Sequence, residues 1–84
     1  MSPRTLRDDN GNMRHVDAKC MPLAGFDAKV VDQGTDLLML FVTPDCSPGP
    51  ARLLIPPTGT AVNLGPWGGR VYSAIVIPPP GPPP

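Results

Sequence analysis

The side chains able to do chemistry are few and scattered. His15 is the single histidine of the chain and stands two positions from Asp17. A histidine beside a carboxylate can act as a general base, but the sequence places no nucleophile near it. It reads as a surface or interface residue. Cys20 and Cys46 can pair only where a fold brings their Cα atoms within about 7 Å. With no secretion signal in view, buried free thiols are the expectation. Two Cys and one His fall short of the usual four-ligand zinc site. Asp8, Asn10 and Asn12 offer oxygens at alternate positions, like the first half of a calcium loop. Met13 then occupies the place of the turn glycine and Lys19 that of the closing glutamate, so a plain turn is expected. The stretch Gly65-Pro66-Trp67-Gly68-Gly69 is glycine-rich but carries neither phosphate-binding pattern. The chain also lacks Glu altogether. No catalytic constellation, cofactor or metal site is expected, and the chain reads as a non-enzyme.

The elements that would position these residues are strands. The 84 residues include 14 Pro and 9 Gly and no clean 3.6-residue apolar repeat. Apolar runs of four to eight residues are instead bounded by Pro, Gly, Asn and Asp. The central one is Leu37 to Val42. One face would carry Leu37, Met39 and Phe41 and the other Leu38, Leu40 and Val42. A strand apolar on both faces must be covered on both sides, and a run this short matches a buried strand and not a membrane span. A chain of this size buries only about 60–65% of its unfolded surface, so its margin is thin.

Taken in order, Met1 to Leu6 reads as an extended arm. Asn10-Gly11 suits a two-residue hairpin turn, but that pairing sets Arg7 opposite Arg14, so a plain surface turn is an equal alternative. Arg14 to Leu23 is a strand with Val16, Ala18 and Cys20 on one face and Pro22 at its end or edge. Ala28 to Thr43 is the strongest hairpin expectation, turning at Asp32 to Thr35 with Gly34 in the left-handed region. Pro44 to Pro50 is a stiff loop. Ala51 to Ile55 and Thr60 to Leu64 form a second expected hairpin around Pro56 to Gly59. Arg70 to Ile77 is the last strand, with Val71, Ser73, Ile75 and Ile77 on one face. Pro78 to Pro84 can only be polyproline II, about 22 Å long at about 3.1 Å per residue. The fold expected is all-β, a small antiparallel sandwich or barrel of about six strands. Residues 1–13 are the arm and turn, 14–77 the β domain and 78–84 the tail. Its core is expected from Val30, Leu38, Leu40, Phe41, Val42, Leu54, Val62 and Ile75.

Charge points to the class of partner. The formal net charge is zero, which argues against a nucleic-acid or anionic-membrane surface. From Leu37 to Pro84 the only charged residues are Asp45, Arg52 and Arg70, so much of that half is expected to meet protein. The expected interface residues are Trp67, Tyr72, Pro48, Pro50, Pro78, Pro79, Pro80 and Pro82. Trp67 fits an interface anchor and a lid on the domain equally well. In general character the chain resembles the decoration or cement proteins of tailed-phage capsids: short, β-rich, low in charge and armed at its termini. That resemblance implies a non-enzymatic structural subunit of a virion. Its partners would be copies of itself and other assembly subunits such as a major capsid protein, with neither nucleic acid nor membrane. The alternative is a small cytoplasmic β-barrel adaptor that binds a protein or ligand through the Trp67 loop or the proline-rich tail.

Overall fold

The computed structural model describes residues 4–46, 52–65 and 69–78. Among these the chain is all-β, with no α-helix. The strands are β1 Arg4–Arg7, β2 Met13–Val16, β3 Met21–Ala28, β4 Val30–Val31, β5 Leu37–Phe41, β6 Leu53–Ile55, β7 Val62–Asn63 and β8 Gly69–Ile77. They form two four-stranded sheets. Sheet A runs β2-β1-β4-β7 and sheet B runs β3-β8-β5-β6, with every neighbouring pair antiparallel. The inner faces share one core: Leu6, Val16 and Val31 from sheet A meet Phe26, Leu38, Leu40, Ile55, Ala74 and Val76 from sheet B.

The N-terminal arm expectation is corrected for residues 4–7. They form an inner strand, paired to β2 on one side and β4 on the other, and Leu6 is fully buried. The alternation in Arg4-Thr5-Leu6-Arg7 puts the even residues inside and the odd ones outside.

The turn after β1 is a true hairpin, one residue longer than the Asn10-Gly11 reading. Asp8 N–H donates to the Asn12 carbonyl (3.1 Å), which leaves Asp9-Asn10-Gly11 as the loop. Gly11 takes φ of +85°, the left-handed residue that a three-residue loop needs. The extra residue shifts the register, so Arg7 faces Met13 and Arg14 faces Leu6. A one-residue slip sends side chains to opposite faces, and the like-charge clash disappears. Arg14 lies over the Phe26 ring at 4.8 Å, a cation–π contact at the rim of the core.

Neither later hairpin forms as expected. The segment from Ala28 to Thr43 crosses between sheets, because β4 pairs in sheet A and β5 in sheet B. A two-residue β4 offers β5 little ladder, whereas β8 offers it five rungs and β6 three. The second expected hairpin crosses as well, from β6 in sheet B to β7 in sheet A. Pro56 and Pro57 remove two donors directly after β6, and the ladder cannot continue there. The single strand expected from Arg14 to Leu23 is likewise two, β2 in sheet A and β3 in sheet B.

The expected alternation along β8 also fails. Between Pro22 and Phe26 the register of β3 shifts by two residues against β8, with Ala24 (φ +52°) and Gly25 (φ +81°) both left-handed. Opposite this irregular stretch β8 changes its facing, so that Val71 joins Ala74 and Val76 in the core although Val71 and Ala74 differ in parity. Of the expected core residues, Leu38, Leu40 and Phe41 are buried, and Val30, Val62 and Ile75 are half-buried. Val42 and Leu54 are corrections, being 54% and 57% exposed. Val42 lies past the end of β5, and Leu54 points away from the core because its neighbours Leu53 and Ile55 point in.

Candidate functional site

The outer faces of the two sheets differ in kind. On sheet A, Thr5 and His15 sit directly opposite each other, with Thr5 Oγ1 and His15 Nδ1 3.0 Å apart. Arg7 binds the Asp32 carboxylate through both Nε (3.0 Å) and a terminal nitrogen (2.8 Å). Asp8 Oδ1 accepts the Asn10 and Asn12 backbone N–H groups, and Oδ2 accepts the Asn12 side-chain amide, each at 2.9 Å. These bonds, the Asn12 amide foremost, hold the Asp8 carboxyl below the usual aspartate range. Of the side chains that suggested half a calcium loop, Asp8 thus has both carboxylate oxygens used by the turn itself. The Thr5–His15 pair lies on an exposed sheet face, and sequence order alone does not reveal it, because the residues meet across a hairpin.

On sheet B the outward residues of β5, β6 and the Ser73 to Ile77 half of β8 are Leu37, Met39, Phe41, Leu54, Ser73, Ile75 and Ile77, as their cross-strand pairing requires. None of these is charged; the charged residues of the sheet, Asp27 and Arg70, sit opposite each other where β3 ends and β8 begins. At one end of this face the chain supplies its own cover. After β5 it folds back so that Ser73 Oγ donates to the Thr43 carbonyl and accepts from Cys46 N–H at 2.8 Å. Phe41 and Ser73 are buried beneath this loop. A Cys20–Cys46 disulfide, with Cα atoms 6.1 Å apart, ties the loop to the start of β3. The free-thiol expectation is therefore corrected. The two cysteines are distant in sequence but lie at adjoining strand ends, because β8 lies between β3 and β5.

The other end of the face has no such cover among the described residues. Leu54, Met39 and Ile75 form one row across three strands, and Leu37 and Ile77 lie in the next. Leu54 is the most exposed of these and Ile77 is 39% exposed. With strands about 4.8 Å apart and same-face residues about 7 Å apart, the strip with its margins covers about 300 Å².

One residue with a decisive structural role went unread in the sequence. Arg4 is fully buried between the sheets. Its guanidinium donates to the carbonyls of Asp36 (3.1 Å), Ile55 (3.2 Å), Pro56 (3.1 Å) and Asp32 (3.4 Å). A single cation from sheet A therefore fastens two of the segments that cross between the sheets, β4 to β5 and β6 to β7. Burial lowers its pKa from the usual arginine value, and the nearby Asp36 charge pulls it partly back. Gly34 is required here for space. A Cβ at that position would come within 2.7 Å of Arg4 Nε, and Gly34 is absent from the left-handed glycines, which corrects the turn expected there. The one available signal was parity: if Leu6 points inward, so does Arg4.

Of the expected interface residues, Tyr72 is 40% exposed, its ring beside Gly25, and Pro78 is exposed. Trp67, Pro48, Pro50, Pro79, Pro80 and Pro82 lie outside the described residues. No group of three or more His, Cys, Asp or Glu is placed to hold a metal among the described residues. Among the described residues no helix is long and apolar enough to cross a membrane. No family model, curated protein or solved structure matches this chain significantly.

Proposed function

We propose that the protein is a non-enzymatic structural subunit of a larger assembly, a virion accessory protein of the decoration or cement type. It would hold neighbouring subunits together through the outer face of sheet B, with the proline-rich loop and tail as further contacts. The observation that carries this reading is the uncharged apolar strip Leu37, Met39, Leu54, Ile75 and Ile77, set against a sheet A face that bears the Arg7–Asp32 ion pair and the Thr5–His15 pair. The disulfide supports a working life outside the reducing cytosol, as on the exterior of a particle, and weighs against the cytoplasmic adaptor. Magnitude favours many copies. At about 25 cal/mol per Å², a strip of about 300 Å² offers about 7 kcal/mol gross, close to the cost of one association event. Symmetric repetition makes such a contact useful.

The test is velocity sedimentation of extracts from the protein's source. The chain should travel with large particles at a fixed copy ratio and leave them only under denaturing conditions. A chain found wholly as a slow-sedimenting, freely soluble monomer overturns the proposal.

A further inference from the structure

The occupant of the apolar strip can be named. We infer that it takes the proline tail, Pro78 to Pro84, of a second copy of this chain. The inference rests on the assembly reading above and supplies its partner.

Chemistry selects the occupant first. Over β5 and β8 the strip presents side chains only, since the backbone groups of both strands are engaged in the plane of the sheet, and β6 alone keeps an unpaired edge. A segment lying on the face, and not along that edge, gains nothing from N–H donors and must offer apolar surface. A run of prolines has no donors to leave unpaired and exposes apolar rings. The tail carries no charged residue, so none would be buried against a strip that has none to match it.

Size selects next. The row Leu54–Met39–Ile75 spans about 10 Å, which three or four polyproline II residues cross at about 3.1 Å each. A whole sheet laid on the strip would bury only about 300 Å² of it, against the roughly 800 Å² per partner of a stable interface. Two tails exchanged between two copies double the contact without needing a larger face.

Reach excludes the chain's own strip. The tail leaves from Ile77, opposite Leu37 at the start of β5. Prolines cannot reverse direction, and Gly81 is the first residue free to turn. At about 3.1 Å per residue, a polyproline II run would need about 12 Å to reach Gly81, and three further prolines would span only about 9 Å. On that arithmetic a tail of this length falls short of the strip beside it, whereas a second copy could meet it end on.

The experiment uses the full chain and two kinds of variant, with multi-angle light scattering across concentration and circular dichroism as the check on folding. Leu54→Lys spoils the strip at an exposed position, and Ile77→Lys does so independently. Replacing Pro79, Pro80, Pro82 and Pro83 by Ser spoils the tail. The wild-type chain should self-associate, and each variant should weaken association about tenfold or more. Mixing the Leu54→Lys chain, whose tail is intact, with the tail variant, whose strip is intact, should restore a one-way complex that neither forms alone. Three results overturn the inference: a wild-type chain that stays monomeric at its highest soluble concentration, a tail variant that associates as well as wild type, or a mixture that fails to complement. The second means the faces pack directly on each other. None of the three touches the assembly proposal, which stands or falls on co-sedimentation.

Discussion

The outer face of sheet A and the outer face of sheet B are built by one short chain to opposite specifications. On sheet A several polar groups meet a neighbour: Arg7 with Asp32, Thr5 with His15, Asp8 with its own turn. On sheet B the chain closes over Phe41 and Ser73 with a loop held by a disulfide. It leaves Leu37, Met39, Leu54, Ile75 and Ile77 in two rows beyond it. Both faces belong to the same small body, so the difference is not a general shortage of polar residues. One side pairs the polar groups named above and carries Met13 as its exposed apolar side chain, while the other gathers several apolar side chains into one patch, of the kind that protein contacts use.

The contrast holds only if the two sheets are one rigid unit, and the largest predicted effect tests that. Arg4→Met keeps the bulk of the side chain but leaves buried carbonyls without a donor. It should lower stability by about 3–5 kcal/mol in urea titration, as loss of one partner from a buried charged network does. A change under 1 kcal/mol would detach Arg4 from the seam. Opening the disulfide with Cys20→Ser and Cys46→Ser should cost about 3.5 kcal/mol by chain-entropy arithmetic for a loop of 26 residues. Proteolysis should then begin near Cys46. Phe41→Ala should cost about 3 kcal/mol, the lower end for a buried phenylalanine, because a single loop covers it. If Phe41→Ala is silent while Arg4→Met is not, the covered end of sheet B is no better finished than the open end.

Leu54→Lys should change the unfolding midpoint by less than about 0.5 kcal/mol, because the side chain already stands in solvent. It should still abolish association, and a strongly destabilised Leu54→Lys would place Leu54 in the core. The smallest effect belongs to sheet A. The Asp8 carboxyl titrates below its unfolded value. Its contribution to the β1–β2 hairpin is therefore complete above the ordinary aspartate range and is lost as pH falls through the lower, folded pKa. Nuclear magnetic resonance should show the Asn12 amide shifting in that acidic window, and Asp8→Asn should remove the transition.

How much of this was legible depends on the range of each interaction. The strand character of Leu37 to Phe41 and of Arg70 to Ile77 is local, written in apolar runs between Pro and Gly, and it was readable. The two apolar faces of β5 were readable for the same reason. Pairing was not. Whether Val30-Val31 turns back on Leu37 or crosses to the other sheet depends on Leu6, some 25 residues earlier, and on β8, some 40 residues later. Nearest-neighbour reading favours a hairpin in both cases. The disulfide was hidden behind the same topology, since Cys20 and Cys46 adjoin only once β8 brings β3 and β5 together. Arg4 was hidden because a charged residue near a chain terminus is ordinarily solvated. Its burial makes sense only when four carbonyls from two distant loops converge on it.

The position of β8 has a consequence for biosynthesis. It is the last of the described strands to emerge from the ribosome, yet it fills the middle of sheet B, with β3 on one flank and β5 on the other. Until it arrives, those two strands face a gap and carry unpaired edges, the condition in which nascent chains stick to one another. Shorter fragments cannot settle first, so the polypeptide should remain protease-sensitive on the translating ribosome and fold in a single late event.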